Sequence, residues 1–260
     1  MITQEFRSTG WQFHLPAPQT PGIPRSPAIT RYQVFGERSS GTNFLKRLIG
    51  RNTSLTPTED LGWKHGFPQM TAIPQDVLIL CVTRNAADWA RSMHARPWHC
   101  PAQMQRLPFS EFLRAEWATI ADRPRYFPQV AALGGAGQPL QHDRHPLTGA
   151  PFPDLFALRR AKLQGLLSFF NRGGALLFCR LEAVQAAPED FLTALRGSLG
   201  LPAPEGPFRP VHKRLGSRFL PAVDEPRPQT PAHLSEADLA FLRSRLDLPL
   251  EAALSYSYEA

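Results

Sequence analysis

The chain has 260 residues, of which 42% are apolar, which suits one large domain with a proper core. Its 27 prolines and 18 glycines imply long loops and argue against a helical bundle. The net charge of +7 suits a polyanionic ligand, yet no basic tract is interleaved with exposed aromatics, so nucleic acid is not the expected partner.

Residues 1–28 are proline-rich and read as an extended N-terminal arm, leaving 29–260 as a single α/β domain. A strand is expected over 31–36, then the polar loop Glu37-Arg38-Ser39-Ser40-Gly41-Thr42-Asn43, then a helix over about 42–50. A loop of that kind aims several main-chain N–H groups at one spot beside the positive end of a helix. The hydroxyls of Ser39, Ser40 and Thr42 add donors, and Arg38 adds a forked cation. Together they make a receptor for phosphate or sulfate. It is not the triphosphatase loop, because Thr42 and Asn43 stand where Lys and Ser/Thr belong.

A short strand is expected over 61–65, stopped by Gly66 and Pro68. The run VLILCVT at 77–83 reads as a parallel strand covered on both faces, followed by a helix over about 86–95 with Asn85 as a possible cap. A helix with Ser110 as its cap is expected over 109–121, and an irregular excursion over 122–153. Further helices are expected over 154–171, from Pro188 to Gly200, and from Ser235 to about Leu246, with a buried strand over 175–180. Short strands alternating with helices argue a three-layer sandwich around a mostly parallel sheet. Cys81, Cys100 and Cys179 have no metal spacing, and Cys81 and Cys179 read as buried thiols of a reducing compartment. With no apolar leader and no run long enough to cross a bilayer, the expectation is a soluble cytoplasmic protein.

Two further stretches carry chemistry. Arg84 stands just past the end of a strand, and Ser92 lies two helical turns on; together they could grip a second phosphate. Lys64 and His65 close the 61–65 segment, where ligands of open parallel sheets bind. His65 could serve as a general base for a hydroxyl or as a structural histidine, and Lys64 could offset charge on a bridging oxygen. Glu111 is a reserve base, or a solvated first-turn acid.

With these residues in view, the chain resembles the sulfotransferase superfamily that uses 3'-phosphoadenosine 5'-phosphosulfate (PAPS), a family with a P-loop-like fold. The likeness lies in Ser39-Ser40-Gly41-Thr42-Asn43-Phe44 for the 5'-phosphosulfate loop, and in Arg84 with Ser92 eight residues on for the 3'-phosphate. It lies also in Lys64-His65-Gly66-Phe67-Pro68, Arg180-Leu181-Glu182-Ala183, Lys213-Arg214-Leu215-Gly216 and Leu254-Ser255-Tyr256. The resemblance covers about 31–120 and 154–258. It implies transfer of a sulfonate to an acceptor hydroxyl or amine, with 3'-phosphoadenosine 5'-phosphate (PAP) as product and no metal. It further implies that Phe44 stacks on the base, that Lys213 and Arg214 join the 3'-phosphate site, and that His65, Lys64 and Arg38 serve the chemistry. Ser39 holds the place of the family's loop lysine, so Arg38 or Lys64 would have to replace it. The alternatives are a kinase-like phosphotransferase and a non-catalytic nucleotide-binding protein. Nothing in the sequence names the acceptor.

Overall fold

The computed structural model describes residues 2–16, 28–204, 206–212 and 218–259. The chain divides into two compact units, one of residues 1–85, 162–216 and 249–257, the other of 86–161, 217–248 and 258–260.

The first unit holds a mixed five-stranded sheet flanked by helices, built from β1 (Trp11–His14), β2 (Arg31–Gly36), β3 (Thr56–Pro57), β4 (Val77–Thr83) and β5 (Leu176–Arg180). The order is β1-β5-β4-β2-β3, with β1 antiparallel to β5 and the other pairs parallel. All of β4 is buried. Its period-two alternation explains how: Leu78, Leu80 and Val82 join one cluster with Leu45, Leu48 and Ile49 of α2 (Thr42–Asn52) and Phe191, Leu192 and Leu195 of α9 (Pro188–Leu199). On the opposite face Cys81 Sγ meets the Leu166 carbonyl, Phe35 lies 5.1 Å from Phe169, and Phe178 packs between Phe6 and Phe170. Cys81 and Cys179 are buried free thiols, as the sequence suggests, and burial pushes both upward in pKa. Pro188 opens α9, and Gly200 closes it in the left-handed conformation, also as expected. After β2 the chain lays β3 on one side and later β4 on the other. The point where that direction reverses lies between β2 and β4, and ligands of open α/β sheets bind outside the carboxyl ends there.

Two local expectations are corrected in this unit. Residues 4–14 do not form an extended arm: α1 (Gln4–Thr9) and β1 fold there, and Trp11 and Phe13 pair with Cys179 and Leu177 of β5. Residues 61–65 are not a strand. Gly62 has φ +99°, and the segment is held by the side chain of Gln33, which donates to the Gly62 carbonyl and accepts from the Leu61 N–H. At Leu61 and Gly62 a side chain, not a ladder, satisfies the main chain.

The second unit is built from α3 (Ala86–Ala95), α4 (Ala102–Gln105), α5 (Phe109–Arg114), α6 (Pro128–Ala132), α10 (Glu236–Arg245) and the first half of α7 (Leu155–Leu167). The helix expected over 109–121 stops at Arg114. Beyond it Trp117 donates its N–H to Phe152 and its indole, with the Thr119 hydroxyl, reaches the buried Asp143, which requires extended chain. Ser110 is no cap: its hydroxyl donates to Asp238, which also takes Arg114 and the Ser235 hydroxyl. Ser235 does cap α10, accepting from the Asp238 N–H. The 122–153 region holds one short helix, α6, and a single 3-10 turn at Gln141–Asp143. Among the described residues no helix is long and apolar enough to cross a membrane.

Candidate functional site

The carboxyl end of β2 turns at Gly36, where a Cβ would lie 2.6 Å from Ser40 Oγ and 2.7 Å from the Val82 carbonyl oxygen. Only glycine leaves room for the loop to fold back. Ser39 (φ +64°) and Gly41 (φ +92°) curl the main chain in the left-handed region, and Gly41 becomes the N-cap of α2. Having no side chain, it leaves the first-turn N–H groups of α2 uncapped, and the first main-chain bond of the helix is Leu45 N–H to the Gly41 carbonyl. The loop thus keeps donors where an anion is favoured by the helix end.

Ser40 is fully buried, and both its N–H and its hydroxyl donate to the Glu37 carbonyl, the latter at 2.7 Å. Its role is to close the loop. Arg38 is buried with its guanidinium 5.8 Å from the Trp63 ring centroid. Thr42 is buried and Asn43 half-buried in the first turn of α2. Phe44 is half-buried against the core on the α2 face of the sheet.

Lys64 and His65 reach this loop without belonging to a strand. The Lys64 carbonyl accepts from the Gly36 N–H, and its ammonium donates to Asn43 Oδ1 at 2.7 Å. Burial lowers its pKa, Glu59 works against that, and Lys46 adds to it. His65 Nδ1 lies 2.7 Å from the Gly36 carbonyl oxygen. A carbonyl only accepts, so Nδ1 carries the proton and Nε2 keeps its lone pair. Burial, followed by the charge of Lys64, pushes the His65 pKa well below 6.5, so the ring is neutral near pH 7. Arg84, one residue past β4, donates from Nη1 to the Ser39 carbonyl at 3.0 Å. Loop, lysine, histidine and arginine therefore meet at the sheet's reversal point.

Ser92 lies half-buried on α3, in the second unit, and Glu111 is exposed in the first turn of α5. Lys213 and Arg214 lie outside the described residues.

Two features escape a reading of the sequence. The first is Lys162, which is 5% exposed and donates to the His65 carbonyl at 2.8 Å. Its signal is its position: Leu155, Leu158 and Leu166 share its helical stripe at spacings of seven, four and four, so a cation interrupts an apolar face. The second is a polar knot at the carboxyl ends of β4 and β5. Glu182 accepts from the Asn85 N–H at 2.8 Å and from the Tyr256 hydroxyl at 3.1 Å, while Tyr256 and Thr83 hydroxyls lie 3.3 Å apart. The Arg180 guanidinium lies over the Tyr256 ring. Nothing local in the sequence joins residues 83, 182 and 256. Among the described residues, no three His, Cys, Asp or Glu side chains gather as a metal site.

A scan of protein-family models gives no match to this chain, and searches of curated proteins and of solved structures give none either.

Proposed function

We propose that the chain is a PAPS-dependent sulfotransferase with a P-loop-like three-layer α/β fold, moving a sulfonate to an acceptor hydroxyl or amine. The observation that carries the reading is the 3.0 Å contact from Arg84 to the Ser39 carbonyl, which joins two stretches the resemblance assigns to the two phosphate ends of one nucleotide. The knot of Glu182 with Tyr256 adds support, because two more resembling stretches, far apart in sequence, touch.

The residues fit such a donor. The uncapped start of α2 and the Gly36–Gly41 curl would offer main-chain donors to the 5'-phosphate, and Arg84 a fork to the 3'-phosphate; Ser92, Lys213 and Arg214 are added by the resemblance alone. PAPS supplies an electrophilic sulfonate on a phosphate bridge oxygen. His65 Nε2 accepts the proton that the acceptor loses, and its Nδ1–H stays on the Gly36 carbonyl to keep that tautomer. Lys64 and Arg38 would offset the charge that develops on the bridge oxygen; Asn43 holds the Lys64 ammonium in the first turn of α2, where it could take the place of the absent loop lysine.

Calorimetry tests this. PAP is expected to bind without Mg²⁺ and ATP with Mg²⁺ to bind far more weakly. Arg84→Ala is expected to lose roughly 10- to 100-fold in PAP affinity, the worth of a charge-assisted contact. Equal PAP affinity in the variant would remove Arg84 from the site, and a preference for ATP with Mg²⁺ would favour phosphoryl transfer.

A further inference from the structure

Residues 65–68 are gripped from the α7 side at two points. Lys162 Nζ donates to the His65 carbonyl at 2.8 Å and lies 4.1 Å from the Phe67 ring centroid. Three residues on, Gly165 approaches so closely that a Cβ would sit 3.2 Å from Pro68 Cδ and 3.3 Å from Phe67 Cδ1. Positions three apart share a helix face, so α7 offers this segment an ammonium and bare backbone side by side. From the other direction the Gly36 carbonyl holds Nδ1 of the same histidine. Burying an ammonium is costly, and a hydrophobic side chain would continue the stripe of Leu155, Leu158 and Leu166 at lower cost. Lys162 stands there against that preference.

We propose that Lys162 is a positioning residue for His65: with Gly165 it clamps the main chain of residues 65–68, so that the imidazole stays in the Nδ1–H tautomer and presents Nε2 as an acceptor. The groups that face the ring are Lys64, Arg38 and Lys162, the Gly36 carbonyl, and Trp63, whose ring centroid lies 5.3 Å away at a near-perpendicular angle. The three cations all disfavour the imidazolium, so Lys162 also helps keep the ring neutral. The inference rests on reading His65 as the base, but the clamp can be observed with no substrate present.

The test is nitrogen NMR of the His65 ring in the 260-residue chain across pH 4–8. Wild type is expected to show one neutral tautomer, protonated on Nδ1. Lys162→Met is expected to give a mixture of both tautomers and a higher protonation midpoint, whereas Lys162→Arg, which keeps the charge, is expected to hold the midpoint low. Gly165→Ala, which pushes Phe67 and Pro68 by a few tenths of an ångström, is expected to loosen the tautomer without changing any charge, and it decides the matter if the methionine variant does not fold. A single Nδ1–H tautomer with an unmoved midpoint in the folded variants overturns the proposal. If sulfonate transfer is measured, Lys162→Met is expected to lower kcat about tenfold with KM for the donor unchanged. Absence of any transfer would remove the base's task and leave the ring spectra as evidence for the clamp. Unaltered spectra in a protein that does turn over would remove the clamp and leave the transferase reading standing.

Discussion

The two units handle ionic side chains differently. In the second, acids are answered by named partners: buried Asp154 by Arg245, buried Asp238 by Arg114, Ser110 and Ser235, buried Asp143 by Thr119 and Trp117, and half-buried Asp122 by His99 and Arg123. In the first, cations gather: Arg38, Lys64, Arg84 and Lys162 surround one loop and one histidine. The sequence of the first unit holds 16 Lys and Arg against 10 Asp and Glu, and that of the second 13 against 12, so nearly all of the +7 belongs to the unit with the sheet. Breaking a buried pair strands a charge, whereas the cationic excess of the first unit, beside an uncapped helix end, is what the proposed nucleotide site would draw on. Substitution in the second unit's pairs should cost stability; substitution at the loop should, on the proposed reading, cost binding.

The largest effect expected from that contrast is in a buried pair. Asp154 accepts both Arg245 Nε at 2.7 Å and the Ala157 N–H near the start of α7 at 2.8 Å. Asp154→Ala is expected to destabilise by about 3 kcal/mol in urea unfolding, near the low end for a broken buried pair because Arg245 is partly exposed and can regain water. A loss below about 1 kcal/mol would mean the second unit's pairs are ornamental. Next comes the curl of the loop. Gly41 has φ +92°, and a Cβ there would lie 2.3 Å from Leu181 Cδ1. Gly41→Ala is expected to cost about 2 kcal/mol and to weaken PAP binding as well, a double penalty that Asp154→Ala should not show. The smallest effect at neutral pH belongs to His65. Its folded pKa lies below its unfolded value near 6.5, so below that pH the unfolded chain takes up a proton that the folded ring refuses. Stability is therefore expected to fall on acidification, and His65→Gln to flatten that fall between pH 7.5 and 5.5. An unchanged slope would mean that the ring is not held neutral. His94, also depressed by burial, contributes a slope of the same sign that the His65 variant leaves in place.

What could be read from the sequence follows the same divide. The unbroken run VLILCVT, the Pro188 start and Gly200 stop of α9 and the Ser235 cap are local signals with local causes, and the structure has each of them. The Gly36 turn into α2 was legible for the same reason. Long-range causes were not. β1 is four residues long and exists because β5 offers an edge; its alternation of Trp11 and Phe13 with Gln12 was the one hint, masked by the prolines after it. Residues 61–65 look like a strand until Gln33 is seen to satisfy their main chain. The helix from Phe109 looks longer than it is because the pull of Asp143 on Trp117 and Thr119 has no sequence signature. In α7, Arg159 is fully buried with its guanidinium 5.5 Å from the Trp89 ring centroid, and Lys162 reaches His65, burial that the charge of neither residue announces.

The most direct measurement is an amide NMR titration of the protein with PAP. The Ser39, Gly41, Thr42 and Asn43 N–H signals are expected to move together and saturate, with the Arg84 side chain, at one stoichiometric equivalent, while signals around Asp154 and Asp238 stay in place. Saturable binding that leaves the 39–43 amides unmoved, or no binding at all, would contradict the proposed site.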